Sequence, residues 1–222
     1  MNSVIVINQR ARSLEQKAVR RLAVLEAAEA YFHDVGYQAF SMAQLAKNTG
    51  VAKGTLYLYF KTREELFLTL YEQSLIRWSQ AFIDVLPESM TSKAYAHALY
   101  LTAIADGTFL PLLIRLEHVI EHNVAIPRLI ESKRVFMRQV KTVAEPTSTS
   151  LKLSAAQAIE VVKTMGVLLI GATQADQGPS LDNEVMPEDV HALIASFSSE
   201  PLFVKNAVRI IEGIRAEVAS NL

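Results

Sequence analysis

The chain contains no cysteine, which removes every function that depends on a thiol. Disulfide bonds, thiolate nucleophiles and cysteine-ligated zinc or iron–sulfur centres are therefore excluded. The sequence also has no glycine-rich phosphate loop, no GxSxG nucleophile elbow and no HExxH pair. These absences argue against several common enzyme classes, so the function has to be sought in other features of the chain.

Long apolar segments and strand patterns are lacking as well. The apolar run Val4–Ile7 is too short for the core of a signal peptide, and its arginines follow it instead of preceding it. No stretch approaches the roughly 18 consecutive apolar residues of a membrane span. Alternating apolar–polar runs and Asn-Gly hairpin turns do not occur either. We therefore expect an all-α cytoplasmic protein that makes no contact with a membrane.

The charged residues are distributed unevenly along the chain. Its 222 residues, half of them hydrophobic, suffice for one large helical domain or two, and the net charge is only −1. Residues 1–63 nevertheless carry nine Lys and Arg against four Asp and Glu, whereas the remainder carries thirteen against nineteen. A basic head on an acidic body is typical of nucleic-acid-binding proteins, the alternative being a chance run of solvated basic residues.

The segment Ser41–Lys61, SMAQLAKNTGVAKGTLYLYFK, is typical of two short helices joined by a glycine turn. Ser41 has the position of an N-cap for the first helix, with Gln44 three residues later as its capping-box partner. Gly50 can take the positive φ that a tight turn between helices requires. The second helix is predicted from about Lys53 to Phe60.

The second helix combines a packing face with groups suited to DNA. At about 100° per residue, Ala52, Leu56 and Phe60 share one face that can pack on the body. The other faces offer a glycine for close approach, hydroxyls and lysine for phosphates, and aromatic rims for thymine methyls and sugars. An amphipathic helix with buried aromatics is the alternative. The predicted DNA-binding residues of both helices are Ser41, Ala43, Gln44, Lys53, Gly54, Thr55, Tyr57, Leu58, Tyr59 and Lys61.

These residues lie in a segment, GVAKGTLYLYFKTREEL from Gly50 to Leu66, that resembles the recognition-helix signature of the TetR family of bacterial transcriptional regulators. The run Arg20–Gly50 resembles the first two helices of that family, so the resemblance covers about the first third of the chain. It implies a helix-turn-helix head on a larger helical body, a double-stranded DNA operator, a homodimer and a small-molecule effector. Neither enzymatic activity nor a cofactor is implied. The sequence departs from the family at Ala52, often a capping serine, and at Leu58, often histidine or another polar residue.

Two domains are expected on this basis. An N-terminal arm and the helix-turn-helix would occupy residues 1–61, and the effector-binding and dimerisation body residues 62–222. Arg10, Arg12 and Lys17 of a partly disordered arm are candidates for contacts with the DNA backbone. Helices are predicted at about 14–35, 62–85, 92–105, 109–121, 127–144, 154–173, 187–197 and 201–219, with polar loops at 145–154 and 178–187. Capping-box spacing occurs at Thr62 with Glu65 and at Ser154 with Gln157.

An effector pocket is expected between the helices of the body. The candidate lining residues are mostly apolar, which favours an apolar or aromatic effector, although an arginine and a histidine among them would suit an anion. The sequence leaves both open. The residues are Trp78, Phe82, Tyr95, Tyr100, Phe109, Arg115, His118, Phe136 and Met165.

Two helices near the C-terminus are predicted to form a dimer interface. The helix around Ile159–Ala172 is apolar nearly all round, so it should be buried on more than one side, and the final helix has one broad apolar face. Paired across a two-fold axis, they would space two recognition helices for a palindromic operator. The alternative is that both helices only form the core of a monomer. The expected interface residues are Val162, Gly166, Leu169, Ile170, Val208 and Ile211.

Two other functional classes remain as weaker hypotheses. His118 and His122 are four residues apart, so one helical face would offer two imidazoles to a metal, but no third ligand is evident. A di-metal carboxylate bundle needs two Glu-x-x-His motifs, and only Glu188 with His191 fits. A DNA-packaging or scaffold protein without an effector is the second alternative. The sequence favours a repressor that a small molecule releases from its operator.

Overall fold

The computed structural model describes residues 2–174 and 186–217, with side chains from Glu15 onward except that of Ala195. This part of the chain is helical and contains no strand, which confirms the expected fold class. A π-helical turn at Leu116–Ile120 and a 3₁₀ turn at Glu121–Asn123 follow the sixth helix. The helices are α1 Asn2–Ala39, α2 Met42–Thr49, α3 Lys53–Tyr59, α4 Arg63–Asp84, α5 Ser92–Ala105, α6 Phe109–Leu113, α7 Ile126–Leu151, α8 Ala155–Gln174, α9 Glu188–Ser196 and α10 Ser199–Glu217.

The head consists of α1, α2 and α3, packed on the first turns of α4. Its core is a cluster of aromatic rings centred on Phe67, which is fully buried. The ring centroids of Phe32, Tyr37 and Phe40 lie 5.6, 4.7 and 4.9 Å from that of Phe67. Such ring contacts add to the free energy of apolar burial. The first turns of α4 therefore complete the core of the head.

The helix-turn-helix has the expected backbone. Gly50 ends α2 in the left-handed conformation, with φ 65°, and Val51 N–H donates to Ala46 O at 3.1 Å. The expected capping box at Ser41 is wrong, because Ser41 makes no side-chain cap bond and Gln44 Nε2 donates to Asn48 Oδ1 at 2.8 Å instead.

Two other helix N-termini are capped by side chains. Glu65 N–H donates to Thr62 Oγ1 at 3.0 Å, while the Glu65 carboxylate accepts from Lys61 N–H, one residue before the expected partner. At α8 the reciprocal box is complete: Gln157 N–H donates to Ser154 Oγ at 3.3 Å and Ser154 N–H to Gln157 Oε1 at 3.0 Å. These bonds satisfy N–H groups that a helix start leaves open.

The body is built from the second half of α4 with α5, α7, α8 and α10. The predicted loop at 145–154 is wrong, because α7 continues through Pro146 to Leu151. Val143, Thr147, Ser150 and Leu151 are buried at helical spacing, so packing overrides the polar composition of this segment.

Three further boundaries differ from the sequence prediction. Helix α1 begins at Asn2, where a partly disordered arm was expected, and it kinks at Gly36 with φ 69°. The predicted helix at 109–121 is interrupted at Arg115. Its backbone N–H donates to Leu112 O at 3.1 Å, and its guanidinium donates to Pro111 O, the usual helical acceptor, at 2.8 Å. The side chains of Arg10 and Arg12, most of the predicted loop at 178–187 and the end of the predicted final helix lie outside the described residues.

Helix α8 is long and apolar enough to cross a membrane, judged by length and composition only. In the fold it packs between α7 and α10, as core helices of soluble proteins do. Only 33% of its apolar window is buried within the protomer, so much of the helix remains uncovered.

The contrast between the two capping positions predicts a difference in stability. Thr62→Ala removes the cap bond together with the bond from Thr62 Oγ1 to Asn123 O, and should lower the free energy of unfolding by at least about 1 kcal/mol. This corresponds to a fall of at least about 2–4 °C in the melting temperature for a domain of this size. Ser41→Ala removes no bond and should leave the melting temperature unchanged. Differential scanning calorimetry of both variants measures this difference, and equal melting temperatures would contradict it.

Candidate DNA-binding surface and body cavity

Helix α3 is held on the head by two side chains. Leu56 and Phe60 are 0% and 1% exposed, and the Arg21 guanidinium lies 4.9 Å from the Phe60 ring centroid. Ala52, which was expected on the same packed face, is exposed. Its backbone is extended because it is the N-cap, so the angular spacing of the helix does not apply to it.

The remaining faces of α3 point away from the core. Lys53, Gly54, Tyr57 and Leu58 are exposed, Leu58 to 76%, while Thr55 and Tyr59 are partly exposed. The other predicted residues, Ser41, Ala43, Gln44 and Lys61, are also exposed. Of the ten, Tyr59 packs partly against the core. The others form a surface of hydroxyls, ammonium groups and apolar side chains.

Basic groups flank the aromatic side chains of this surface. Lys53 Nζ and Lys17 Nζ each lie 6.0 Å from a tyrosine ring centroid, that of Tyr57 and of Tyr59 respectively. Lys17 belongs to α1, so the first helix adds positive charge beside α3. Ammonium groups beside aromatic rims are suited to a polyanion with apolar and sugar edges.

Gly54 has no structural partner in the protein. A Cβ atom added there would meet no described atom within 4 Å, and its φ is not positive. Neither packing within the protomer nor backbone strain therefore requires a glycine at this position. A glycine here leaves the helix backbone open to close approach by a ligand.

A cavity in two chambers lies among α4, α6, α7 and α8. Including the part open to solvent, the space free of protein atoms is about 530 Å³ in the inner chamber and about 620 Å³ in the outer one. Tyr71, Leu113, Phe136, Lys163 and Gly166 line both, so the chambers are contiguous. The other lining residues are Leu75, Trp78, Leu99, Phe109, Gln139, Val140, Val143, Val162 and Leu169 in the inner chamber, and Leu116, Glu117, Glu121, Ser132, Lys133, Val167 and Ile170 in the outer one.

One wall of the inner chamber contains a column of nearly parallel aromatic rings. The centroid separations are 5.8 Å from Phe82 to Trp78, 4.8 Å from Trp78 to Phe109, and 6.2 Å from Phe109 to Tyr71. The interplanar angles are 3°, 7° and 12°. Phe109 of α6 therefore lies between two residues of α4, which fixes the two helices against each other.

The structure brings only part of the predicted effector set to this cavity. Trp78, Phe109 and Phe136 line it, whereas Phe82 lies behind Trp78 and Met165 is buried elsewhere in the core. Tyr95 and Tyr100 are also buried away from it, their hydroxyls bonded to Thr147 and Ser199.

Neither ionisable residue of the predicted set lines the cavity. The Arg115 guanidinium lies 5.6 Å from the Tyr37 ring of the head, and His118 is exposed. His122 is exposed as well, and the described residues contain no group of three or more side chains placed to hold a metal.

Two lining residues that the sequence analysis missed are Tyr71 and Lys163. Tyr71 is seven residues before Trp78 on α4, two helical turns away on the same face, and this spacing could have revealed it. Burial raises the pKa of the Tyr71 hydroxyl far above its usual value, with nearby Glu121 adding to the shift. The hydroxyl is therefore neutral at physiological pH.

The predicted dimer residues divide between the interior and the surface of the protomer. Val162 and Leu169 line the cavity and Ile211 is fully buried, so all three serve the protomer core. Gly166, Ile170 and Val208 are partly exposed. The exposed apolar side chain of α8 is Val167, at 72%.

A polar cluster joins the head to the cavity wall. Thr108, next to Phe109, donates its hydroxyl to Glu29 at 2.7 Å and contacts His33 Nε2 at 2.6 Å, both on α1. Arg77 of α4 forms ion pairs with Glu29 and with Asp106, the latter at 3.1 Å. Thr108 is buried and lies directly before α6, so its bonds to Glu29 and His33 connect the start of α6 to α1.

The sequence matches known families over most of its length. Residues 24–70 match the family described as bacterial regulatory proteins, tetR family, and residues 72–218 match the tetracyclin repressor-like C-terminal domain. The fatty acid metabolism regulator protein of Bacillus subtilis (strain 168) is 29% identical over 80 residues, which are 36% of this chain and 41% of that protein. The chain thus spans about two fifths of the length of the curated relative it matches.

Solved structures share the fold. A possible TetR family transcriptional regulator from Streptomyces coelicolor A3(2) superposes with a TM-score of 0.59 at 16% identity, covering 88% of this chain and 98% of that one. A TetR transcriptional regulator from Rhodococcus sp. RHA1 gives a TM-score of 0.54 at 17% identity, covering 85% and 98%. At this identity the similarity concerns the fold alone.

The open surroundings of Gly54 predict that the isolated protein gains stability when the glycine is replaced. Gly54→Ala should raise the free energy of unfolding by up to about 1 kcal/mol, because alanine loses less backbone entropy in a helix. Gly36→Ala is the control: its φ of 69° should make the same change destabilising, by about 1–3 kcal/mol. Urea denaturation measures both, and destabilisation by Gly54→Ala would reveal a structural role for this glycine.

Proposed function

Because the chain belongs to the TetR family of bacterial transcriptional regulators, we propose that it is a homodimeric repressor that releases a palindromic operator when a small molecule fills its cavity. The observation that carries this proposal is the surface of α3. Its polar, basic and apolar side chains are exposed or partly exposed, and a Cβ atom at its glycine would meet no described atom.

The chemistry of the surface suggests how DNA would be bound. Lys53 and Lys61 would neutralise phosphates, and the hydroxyls of Thr55, Tyr57 and Tyr59 would donate to phosphate or base edges. Leu58 would make an apolar contact with a thymine methyl group. Gly54 would let the α3 backbone approach the floor of the major groove. Ser41, Ala43 and Gln44 of the preceding helix would lie near the DNA backbone or base edges. In this arrangement residues 1–61 bind DNA, and residues 62–222 bind the effector and the second protomer.

Self-association would place two such heads on one operator. The support for it is α8, an apolar helix of which only a third is buried in the protomer. Val167 and the partly exposed Gly166 and Ile170, which also line the outer chamber, would meet the same residues of a second copy, with Val208 of α10 beside them. The interface would then border the cavity. An interface of this kind is self-complementary, and it matches the two-fold symmetry of a palindrome.

The polar cluster around Thr108 supplies a route from the cavity to the head. An effector that displaces Phe109 would move Thr108, and with it the bonds to Glu29 and His33 of α1. At the other end of the helix-turn-helix, Thr62 Oγ1 donates to Asn123 O at 3.2 Å, linking the start of α4 to the segment after α6. Release requires the effector to bind the DNA-free conformation more tightly than the DNA-bound one.

Operator binding should depend on the exposed lysines and be steep in salt. With DNA from immediately upstream of the gene, the protein should bind in preference to a scrambled fragment of equal length. Lys53→Ala should lower the slope of log affinity against log salt by about 2 per dimer, one phosphate contact for each protomer. Fluorescence anisotropy at several salt concentrations measures both quantities.

Two variants sharpen this experiment. Lys141→Ala removes an exposed lysine of α7 and should leave the slope unchanged. Gly54→Ala should weaken specific binding at least tenfold although it stabilises the free protein. Equal affinity for the native and scrambled fragments would favour a DNA-packaging or scaffold protein, and no binding to either at low salt would contradict the proposal.

The dimer should depend on the exposed face of α8. Val167→Glu places a charge on this face and should shift the protein from dimer to monomer, because burying an unpaired carboxylate is costly. Sedimentation velocity detects the change, and operator affinity should fall with it as the two half-sites lose their linkage. Leu101→Glu, on the exposed side of α5, is the matched control. Equal behaviour of the two variants would exclude α8 from the interface.

A further inference from the structure

Two hydrogen-bond donors that line the cavity are buried without a partner. Among the described residues, neither Tyr71 Oη nor Trp78 Nε1 has one. Tyr71 is 1% exposed and Trp78 9%, and both line the inner chamber. Buried polar groups are nearly always paired, because leaving one without a bond costs free energy that the fold must supply from elsewhere.

The other buried tyrosines show that this is a property of the cavity. The hydroxyls of Tyr95 and Tyr100 bond to Thr147 and Ser199 within the core, and Tyr37 accepts a bond from Arg63 at 3.4 Å. Where a phenol is buried for packing alone, this protein therefore supplies a partner. At the cavity it does not.

The surroundings of Tyr71 indicate the charge of the missing partner. Burial and the nearby carboxylates of Glu121, Glu72 and Glu117 all raise the pKa of Tyr71, so the hydroxyl keeps its proton and can donate it. The indole N–H of Trp78 can only donate. These carboxylates are balanced by cations, since Glu72 pairs with Arg128 and Glu121 with Lys133, each at 2.6 Å, and Lys163 also lines both chambers. A neutral acceptor such as a carbonyl oxygen fits both donors.

The positions of the two aromatic side chains indicate the length of the ligand. The backbones of Tyr71 and Trp78 are two turns of α4 apart, about 10 Å along the helix axis, and their rings stack on Phe109. Phe109 lies between their rings, with centroid separations of 6.2 and 4.8 Å. One acceptor atom cannot reach both donors across an intervening ring. The walls between them are apolar, from Leu75, Leu99 and Val143 among others.

We propose that the cavity binds a neutral, elongated, largely aromatic molecule with two carbonyl-type acceptors about 10 Å apart, one bonded to Tyr71 and the other to Trp78. This assignment rests on the proposed function in taking the cavity as the effector site. It concerns the binding step alone, so its test needs no DNA.

A series of three synthetic probes of nearly equal shape tests the assignment. They are 2,6-diacetylnaphthalene, 2-acetyl-6-ethylnaphthalene and 2,6-diethylnaphthalene, which carry two, one and no carbonyl groups. Isothermal titration calorimetry of the full chain should show affinity falling about three- to tenfold with each carbonyl lost. The chain has one tryptophan, Trp78, so its fluorescence must change on binding if the probes occupy this cavity.

Two variants assign the bonds to their donors. Tyr71→Phe and Trp78→Phe should each weaken binding of the diketone by about three- to tenfold and leave the diethyl compound nearly unaffected. Tyr95→Phe, in which the lost hydroxyl is buried away from the cavity, is the control for nonspecific loosening of the core. Failure of all three probes to bind, equal affinities across the series, or variants that weaken all probes alike would each overturn the proposal.

The ligand-free protein offers an independent test. Because the Tyr71 hydroxyl has no partner, Tyr71→Phe should leave the melting temperature unchanged or raise it, whereas Tyr95→Phe removes a made bond and should lower it. A fall of more than about 3 °C for Tyr71→Phe would show that the hydroxyl is already bonded inside the protein, and would overturn the assignment. Loss of operator binding in the anisotropy experiment would instead contradict the repressor function while leaving these results intact.

Discussion

Helix α4 contributes to the hydrophobic core in both the head and the body, and the rest of the architecture depends on this constraint. At its start, Phe67 is the centre of the aromatic cluster that holds α1 and α2 together. About one and three turns later, Tyr71 and Trp78 form part of the cavity wall. A helix packed in this way at both ends cannot tilt at one end without disturbing the packing at the other.

The second connection between the head and the body is polar, so it depends on the distances and angles of individual bonds. Thr108, Glu29, His33 and Arg77 hold α1 to α6 through directional bonds and ion pairs. Apolar packing tolerates small sliding movements, whereas hydrogen bonds weaken steeply once their geometry is lost. The aromatic contacts thus fix the position of α4 relative to the head and to α6. The hydrogen bonds of the polar cluster would weaken if α6 were displaced.

The sequence predicted the head far better than the cavity, and the reasons are physical. Gly50, Leu56 and Phe60 act through local backbone geometry and helical spacing, which a single segment reveals. The cavity depends on which side chains several separate helices bring together, so the sequence did not single out Tyr71 and Lys163. Phe82 and Met165, which were predicted from their apolar character, lie outside the cavity lining. The segment after Glu145 was mistaken for a loop because buried Thr147 and Ser150 find partners in Tyr95 and Pro87, contacts no local pattern announces. The predicted helix at 109–121 is interrupted at Arg115, whose guanidinium donates to the carbonyl of Pro111, four residues earlier. A local sequence pattern does not reveal such a bond.

The position of Phe67 has a practical consequence for building chimeric regulators. A transplanted head that stops at Lys61 would leave behind the ring around which Phe32, Tyr37 and Phe40 assemble. The recipient helix would have to supply an aromatic side chain of the same size at the same position, because otherwise the core of the transplanted head would contain a cavity. A junction placed after Leu70 keeps Phe67 with the head and lies just before Tyr71, the first residue of α4 that lines the cavity. The proposed DNA-binding head and the proposed ligand-binding body would then be exchanged as separate units, joined within the continuous helix α4.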